Sequence, residues 1–328
     1  MDKVRLGVVG AGGIGQAYAE LLAKSETALA VGFADVRLEA AHALATPLEC
    51  LAVPDLDALL EIPGIEALVI CTPPATHDEL TTRALEAGRS VFCEKPLSID
   101  RHRSARLAAR ARELGLPLTV ATKFRFCADV VEAARLVSSG AIGALRLVEN
   151  AFTSRVDMST RWNSNPELSG GGVLIDNGVH SVDLVRFLVG PVTEVLAVES
   201  ARPDGWVVED TARLQLRTAA GVDAHVDLSW SIDKSLADFL HVYGTTGEVR
   251  VGWRESAWRS YGGDWQVFGP GYGKHEAMGG ALDRFCRAVR GDGVLDPTAD
   301  DAVAAVAVID AAYESLRRGS WVEVGPES

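Results

Sequence analysis

VRLGVVGAGGIG (4–15) decides the reading of the chain. An apolar run ends in a glycine cluster, and IGQAYAELLAK (14–24) continues from it with helical apolar spacing. Gly10, Gly12 and Gly15 make GxGxxG. In that pattern the glycines permit a tight turn, close approach of the backbone to a pyrophosphate, and close packing of helix on strand, while the helix N-terminus favours the anion. A bare GxGxxG is a weak signal. Here it follows a strand, opens a helix, and is succeeded 20 residues after Gly15 by Asp35 at the end of LAVGFAD (29–35). That context predicts dinucleotide binding, with Gly13, Ile14 and Val36 beside the same ligand. Asp35 would accept hydrogen bonds from the adenine ribose hydroxyls and repel a 2′-phosphate, so NAD is expected over NADP. Arg37 leaves NADP open, because a guanidinium there would neutralise that phosphate or simply stand in solvent. S-adenosylmethionine enzymes share a glycine loop and an acidic residue after the second strand, so downstream motifs must separate the two.

Moving outward, ALVICT (67–72), SVFCE (90–94) and PLTVAT (117–122) are also too continuously apolar for a half-exposed sheet. Between the strands lie helix starts: Asp55 before LDALL, Thr76-His77-Asp78-Glu79 as a capping box, and Asp100 before a helix stopped by Gly115. The repetition implies an α/β, doubly wound Rossmann domain over residues 1–122. After about residue 123 the period changes. ALRLVENAF, VTEVLAVESA, DTARLQLRT and VDAHVDLSW alternate apolar with polar residues, which predicts an α/β second domain over 123–328 with a large, mostly antiparallel open sheet. GTTGE (244–248) reads as a hairpin turn, AVAAVAVIDAAYESLRRG as a helix and SWVEV as a closing strand. All seven tryptophans lie in this half, where sheet packing is the expected role.

A chain of 328 residues with 48% hydrophobic residues has material for two cores. No apolar run approaches a membrane span, and the opening has a glycine loop where a signal peptide would be cleaved, so a cytoplasmic protein with no membrane partner is expected. The net charge of −13 argues against nucleic acid. Five widely spaced cysteines without CxxC read as free thiols, not as a disulfide framework or zinc site.

Two further stretches carry chemistry. SVFC runs into Glu94-Lys95-Pro96 at the carboxyl edge of the parallel sheet, where ligands of open α/β folds bind and where a lysine would polarise a carbinol or carbonyl oxygen. GGGVLIDNGVH (170–180) places Asp176 four residues before His180, on one face of a helix starting near Leu174, with glycines 170–172 letting the chain approach a cofactor. Thr72, Pro73, Pro74 and His77 fall at a strand end close to the expected nicotinamide half, although helix-start packing explains His77 equally well.

GAGGIG with Asp35, TPPATH (72–77), EKP (94–96), GAIG (140–143) and GGGVLIDNGVHSVDLVRFLVG (170–190), in this order across nearly the whole chain, resemble the Gfo/Idh/MocA family of NAD(P)-dependent oxidoreductases. The methyltransferase alternative offers no reason for EKP followed by DxGxH. The resemblance implies hydride transfer at a secondary alcohol or ketone of a cyclic polyol, such as an inositol, sugar or sugar derivative. It implies Lys95, Asp176 and His180 as a catalytic trio, cofactor contacts from the 72–77 loop and Glu94-Lys95, and a homodimer or homotetramer formed through the open sheet.

In the proposed roles, His180 exchanges the hydroxyl proton, Lys95 stabilises the alkoxide and Asp176 holds substrate and imidazole. No metal is expected, and Asp183 reads as support for His180 or as a local cap. Substrate donors are expected from Lys123 and Arg125 after the last Rossmann strand and from Arg161, Trp162 and Asn163 before the glycine run, besides the trio itself. An interdomain ion pair is the competing role for Arg125 and a loop anchor that for Trp162. Glycine-rich YGGDWQVFGPGYGKH (261–275) would either cover the site or meet a neighbouring subunit. An NADPH-dependent ketosugar reductase and a non-catalytic NAD-binding sensor are the alternative readings.

Overall fold

The apolar runs of the first 122 residues pair as one parallel sheet of β1 (Val4–Val9), β2 (Ala28–Ala34), β3 (Leu51–Val53), β4 (Ala67–Ile70), β5 (Ser90–Cys93) and β6 (Leu118–Val120), in the order β3-β2-β1-β4-β5-β6. The computed structural model describes residues 2–159 and 161–325. Every residue of β4 and β5 is buried, because helices cover both faces. These helices are α1 (Gly13–Leu22), α2 (Leu38–Ala45), α3 (Leu56–Leu60), α4 (His77–Glu86) and α5 (Arg101–Leu114).

Asp55 and Asp100 cap α3 and α5 by accepting from the backbone N–H of Ala58 (2.9 Å) and Arg103 (2.8 Å), and Gly115 ends α5 at φ +65°. The capping box expected at Thr76 does not form. Its hydroxyl turns back to Thr72 Oγ1 (2.7 Å) and Pro73 O (2.8 Å), which closes the loop before α4 and leaves that helix without a side-chain cap.

Two compact units divide the chain, the first taking Met278–Val303 in addition to the residues up to Thr122. Phe285 lies 5.5 Å from Phe92, Ala302 joins the core under the sheet, and Thr119 Oγ1 donates to Pro297 O (2.6 Å). The sequence reading places this segment in the second domain. No change of period marks it, because a helix looks the same in either unit.

The second unit, Lys123–Ala277 with the residues from Ala304, carries α6 (Ala128–Ser138), β7 (Leu145–Thr153), α7 (Pro166–Ser169), α8 (Val179–Val189), β8 (Val192–Glu199), β9 (Thr211–Thr218), β10 (Asp223–Ser229), β11 (Asp238–Gly244), β12 (Gly247–Gly252), β13 (Ser256–Ser260) and β14 (Gln266–Gly269). After α9 (Lys274–Val289) and α10 (Ala299–Arg318), both of which cross the division, β15 (Val322–Glu323) completes a nine-stranded sheet. Its order is β14-β13-β12-β11-β7-β10-β9-β8-β15; β7 and β10 pair in parallel and the other neighbours antiparallel. β9 alternates buried and exposed positions, as a sheet with one wet face requires.

The glycine-rich 261–275 stretch contributes the edge strand β14. Its Trp265 is clasped between Arg250 and Arg259, each guanidinium 4.5 Å from the indole, so packing explains this tryptophan. Among the described residues no helix is long and apolar enough to cross a membrane.

Candidate active site

The carboxyl ends of β1, β2, β4 and β5 assemble the first group of candidate residues. Gly10 has φ +101°, a conformation that disfavours any other residue, and a Cβ on Gly15 would meet Gly10 O at 2.1 Å. Gly12 and Gly13 face open space where the first turn of α1 has neither a side-chain cap nor an acidic residue. A ligand phosphate fits there, because backbone N–H groups and the helix dipole favour an anion and no side chain intervenes.

Asp35 Oδ2 accepts from Ala11 N–H (2.7 Å) and Oδ1 from Arg37 N–H (2.9 Å), which ties the acidic residue to the glycine loop. Val36 and the Arg37 side chain stand in solvent, with Arg37 Nε 3.6 Å from Asp35 Oδ1. Asp35→Ala is expected to weaken NAD about 10- to 100-fold, the effect of losing charge-assisted hydrogen bonds. A titration followed by tryptophan fluorescence measures it.

The Lys95-Pro96 bond is cis, and buried groups hold the residues on either side of Lys95. Tyr18, fully buried in α1, donates its hydroxyl to Glu94 Oε1 (3.0 Å). Burial and the Glu94 carboxylate push that phenol up. His77 is also fully buried, with Nδ1 2.7 Å from Pro96 O and Nε2 2.8 Å from Thr72 O. A neutral imidazole donates to one of these carbonyls and only an imidazolium to both. Burial pulls the imidazole down, while the two carbonyls raise it. His77 therefore joins the 72–77 loop to the EKP loop, and its buried position explains it without a ligand. Tyr18 was not legible as a site residue, since it occupies an ordinary apolar position of α1.

In the second unit the segment carrying Asp176 begins differently from expectation. Leu174–Gly178 forms a π-helical turn that leads into α8. The wider turn is a known feature of functional helices, and it still brings residues four apart near one face. His180 is 5% exposed, with its ring edge-on to Phe124 at 5.2 Å and its Nε2 3.1 Å from Lys123 Nζ. The ammonium also lies 5.1 Å from the centre of the Phe124 ring.

Glycines 171 and 172 are small for contacts within this unit: a Cβ would lie 1.9 Å from Tyr313 Oη in the first and 1.9 Å from Glu209 O in the second. Buried Glu209 ties the turn down, its Oε1 accepting from Gly172 N–H (2.9 Å), Leu174 N–H (3.0 Å) and Tyr313 O–H (2.8 Å). Burial raises this carboxyl, and the Tyr313 hydrogen bond works against that shift. Neither Glu209 nor Tyr313 was singled out in the sequence, for both act on the turn from distant chain positions.

Arg125, expected as a substrate donor, has another partner. Its Nε lies 2.9 Å from both carboxylate oxygens of Asp183 and its Nη2 2.7 Å from Oδ1, in a pair only 7% and 2% exposed. Both residues belong to the second unit, so the pair is not interdomain. Asp183 thus anchors the turn after β6 to α8. Arg161 and Trp162 are exposed and Asn163 half-buried around the 3₁₀ turn Trp162–Ser164. Lys95 stands after β5 in the first unit, while Asp176 and His180 belong to the second. Among the described residues no group of three His, Cys, Asp or Glu could hold a metal ion. The five cysteines are free.

Comparison with known proteins gives consistent matches. The oxidoreductase-family NAD-binding Rossmann fold of GFO/IDH/MocA proteins matches residues 4–122, and the GFO/IDH/MocA C-terminal domain matches residues 130–250. Inositol 2-dehydrogenase 2 of Mycolicibacterium vanbaalenii is 31% identical over 347 residues, covering 99% of this chain and 96% of the relative. Inositol 2-dehydrogenase of Rhizobium meliloti is 29% identical over 339 residues, covering 98% and 99%. Among solved structures, GenD2 from gentamicin A biosynthesis in complex with NAD matches with a TM-score of 0.88 at 28% identity, over 99% of this chain and 97% of that one.

Proposed function

The chain belongs to the GFO/IDH/MocA family of NAD-binding oxidoreductases, and we propose that it moves a hydride between NAD and a secondary alcohol or ketone of a cyclic polyol, an inositol or sugar derivative. The observation that carries this reading is a buried imidazole, His180, four residues beyond Asp176 in a chain whose first unit is an NAD-binding domain. Relatives that match over nearly their whole length are inositol 2-dehydrogenases, which supports a ring polyol as substrate.

Bound NAD supplies carbon 4 of its nicotinamide as hydride acceptor or donor. In oxidation His180 takes the hydroxyl proton, and in reduction it returns the proton to the new alkoxide. Asp176 holds the hydroxyl, and the Lys95 ammonium stabilises negative charge developing on oxygen. Arg161, Trp162 and Asn163, on a partly exposed turn, offer donors and a ring face to a polyhydroxylated substrate. Arg125 is left out of this set because Asp183 holds its guanidinium. A homodimer or homotetramer in the cytoplasm belongs to the same reading, supported by exposed Val198 and Val267 on strands of the nine-stranded sheet.

The test is the near-ultraviolet absorbance of NADH formed with a panel of inositols, aldoses, uronic acids and aminosugars. One ring class is expected to reduce NAD. Silence with the whole panel, and with NADH plus the corresponding ketones, in a protein shown separately to bind NAD, would sink the reading in favour of a sensor.

A further inference from the structure

Charged groups stand on the helical elements packed against His180. From the turn after β6 come Lys123 and Arg125, from the π turn Asp176, and from α8 itself Arg186 and Asp183, the latter neutralising Arg125. α6 brings buried Asp129, whose carboxylate accepts from Gly271 N–H (2.7 Å). β7 and β10 bury Val148, Asn150, Phe152, Ala224, Val226 and Leu228 in alternation, none of which titrates. Lys123 places a cation directly on the imidazole, its Nζ 3.1 Å from Nε2 and resting against the Phe124 ring.

We infer that Lys123 is a positioning residue that holds His180 neutral, as the Nδ1–H tautomer, with Nε2 as the proton-accepting atom. The inference rests on the general-base reading of His180. An ammonium has donors and no lone pair, so the contact requires an unprotonated Nε2, which puts the ring proton on Nδ1. The adjacent positive charge opposes formation of an imidazolium. A substrate hydroxyl then displaces the ammonium. As the O–H bond breaks, an N–H bond forms at Nε2, and the electron pair left on oxygen becomes the carbonyl π bond while the carbinol hydrogen departs to NAD as hydride. Lys123 keeps its own protons throughout and, released from Nε2, donates to the oxygen.

The test is the pH profile of kcat/KM in both directions. For alcohol oxidation, Lys123→Met is expected to move the acid limb upward by about 1–3 pH units, because the imidazolium is no longer opposed. Lys123→Arg should keep the limb near its native position. For ketone reduction the imidazolium is the donor, so the alkaline limb moves upward as well. A Lys123→Met limb coincident with the native one, even alongside a raised KM, would overturn the inference and leave Lys123 as a substrate contact.

A measurement on the unaltered protein guards against a variant that fails to fold: the nitrogen-15 resonances of His180 should report the neutral Nδ1–H tautomer. The Nε2–H tautomer would refute the arrangement. His180→Gln separates the two readings. If it retains turnover and its acid limb, the base assignment itself fails, whereas the tautomer of the native ring judges Lys123 independently.

Discussion

His180→Ala should lower turnover by roughly 10²- to 10⁴-fold while leaving NAD affinity unchanged, the loss expected when a positioned general base is removed. The residue lies in the second unit, whereas the glycine loop and Asp35, proposed to hold the cofactor, lie in the first. Binding and chemistry are therefore separable in one variant. Tryptophan fluorescence on titration with NAD gives the affinity, and initial rates with the responsive polyol give the turnover. The buried setting sharpens the expectation. With 5% exposure and an aromatic neighbour in Phe124, the cavity left by alanine is poorly placed to admit a solvent base in the same position. His180→Gln repeats the test with less lost volume. Full activity at neutral pH in both variants would move the base to another residue, and a parallel loss of NAD affinity would show that the substitution had damaged more than the acid–base step.

The legible parts of this protein were those in which a local pattern carries the physics. Continuous apolar runs announced β1, β2, β4, β5 and β6 because a sheet covered on both faces has no wet side, whereas β3 lies at the sheet edge with none of its three residues buried. Asp55 and Asp100 were readable as caps because a cap is a contact three residues long. Thr76 looked the same and failed, since its side chain turns back to Thr72 Oγ1 and Pro73 O and away from the first N–H groups of α4.

The site divides along the same line. The glycine loop and Asp35 form a local fingerprint, and the Ala11 N–H bond to Asp35 joins the two in the fold. The contacts that hold the rest in place are long-range: Tyr18 on Glu94, Glu209 and Tyr313 on the glycines before the π turn, and Lys123 on His180. Each joins residues separated by dozens of positions or more, where neither periodicity nor spacing carries a signal. Arg125 shows the cost of that gap. Its place beside the site made it a substrate donor on paper, but Asp183, 58 residues away, had already engaged it.

That pair gives the largest expected effect on stability. Arg125→Met should destabilise the protein by about 3–5 kcal/mol, because it strands the Asp183 carboxylate in a place only 2% exposed. Thermal melting should fall by roughly 10 °C. Replacing both partners, as Arg125→Met with Asp183→Leu, removes the orphaned charge and should recover most of the loss, since a buried ion pair seldom outperforms a well-packed apolar pair of similar volume. Activity need not recover with it. Lys123 sits two residues before Arg125 on the same turn, and His180 sits one helical turn before Asp183 on α8. The Nε and Nη2 contacts fix that turn against that helix in one orientation, which an apolar contact does not enforce. The double variant should melt near the native temperature yet turn over more slowly, with its acid limb displaced toward that of Lys123→Met. Native kinetics in a stable double variant would reduce the pair to scaffold. A single Arg125→Met that melts with the native protein would instead mean that water reaches Asp183.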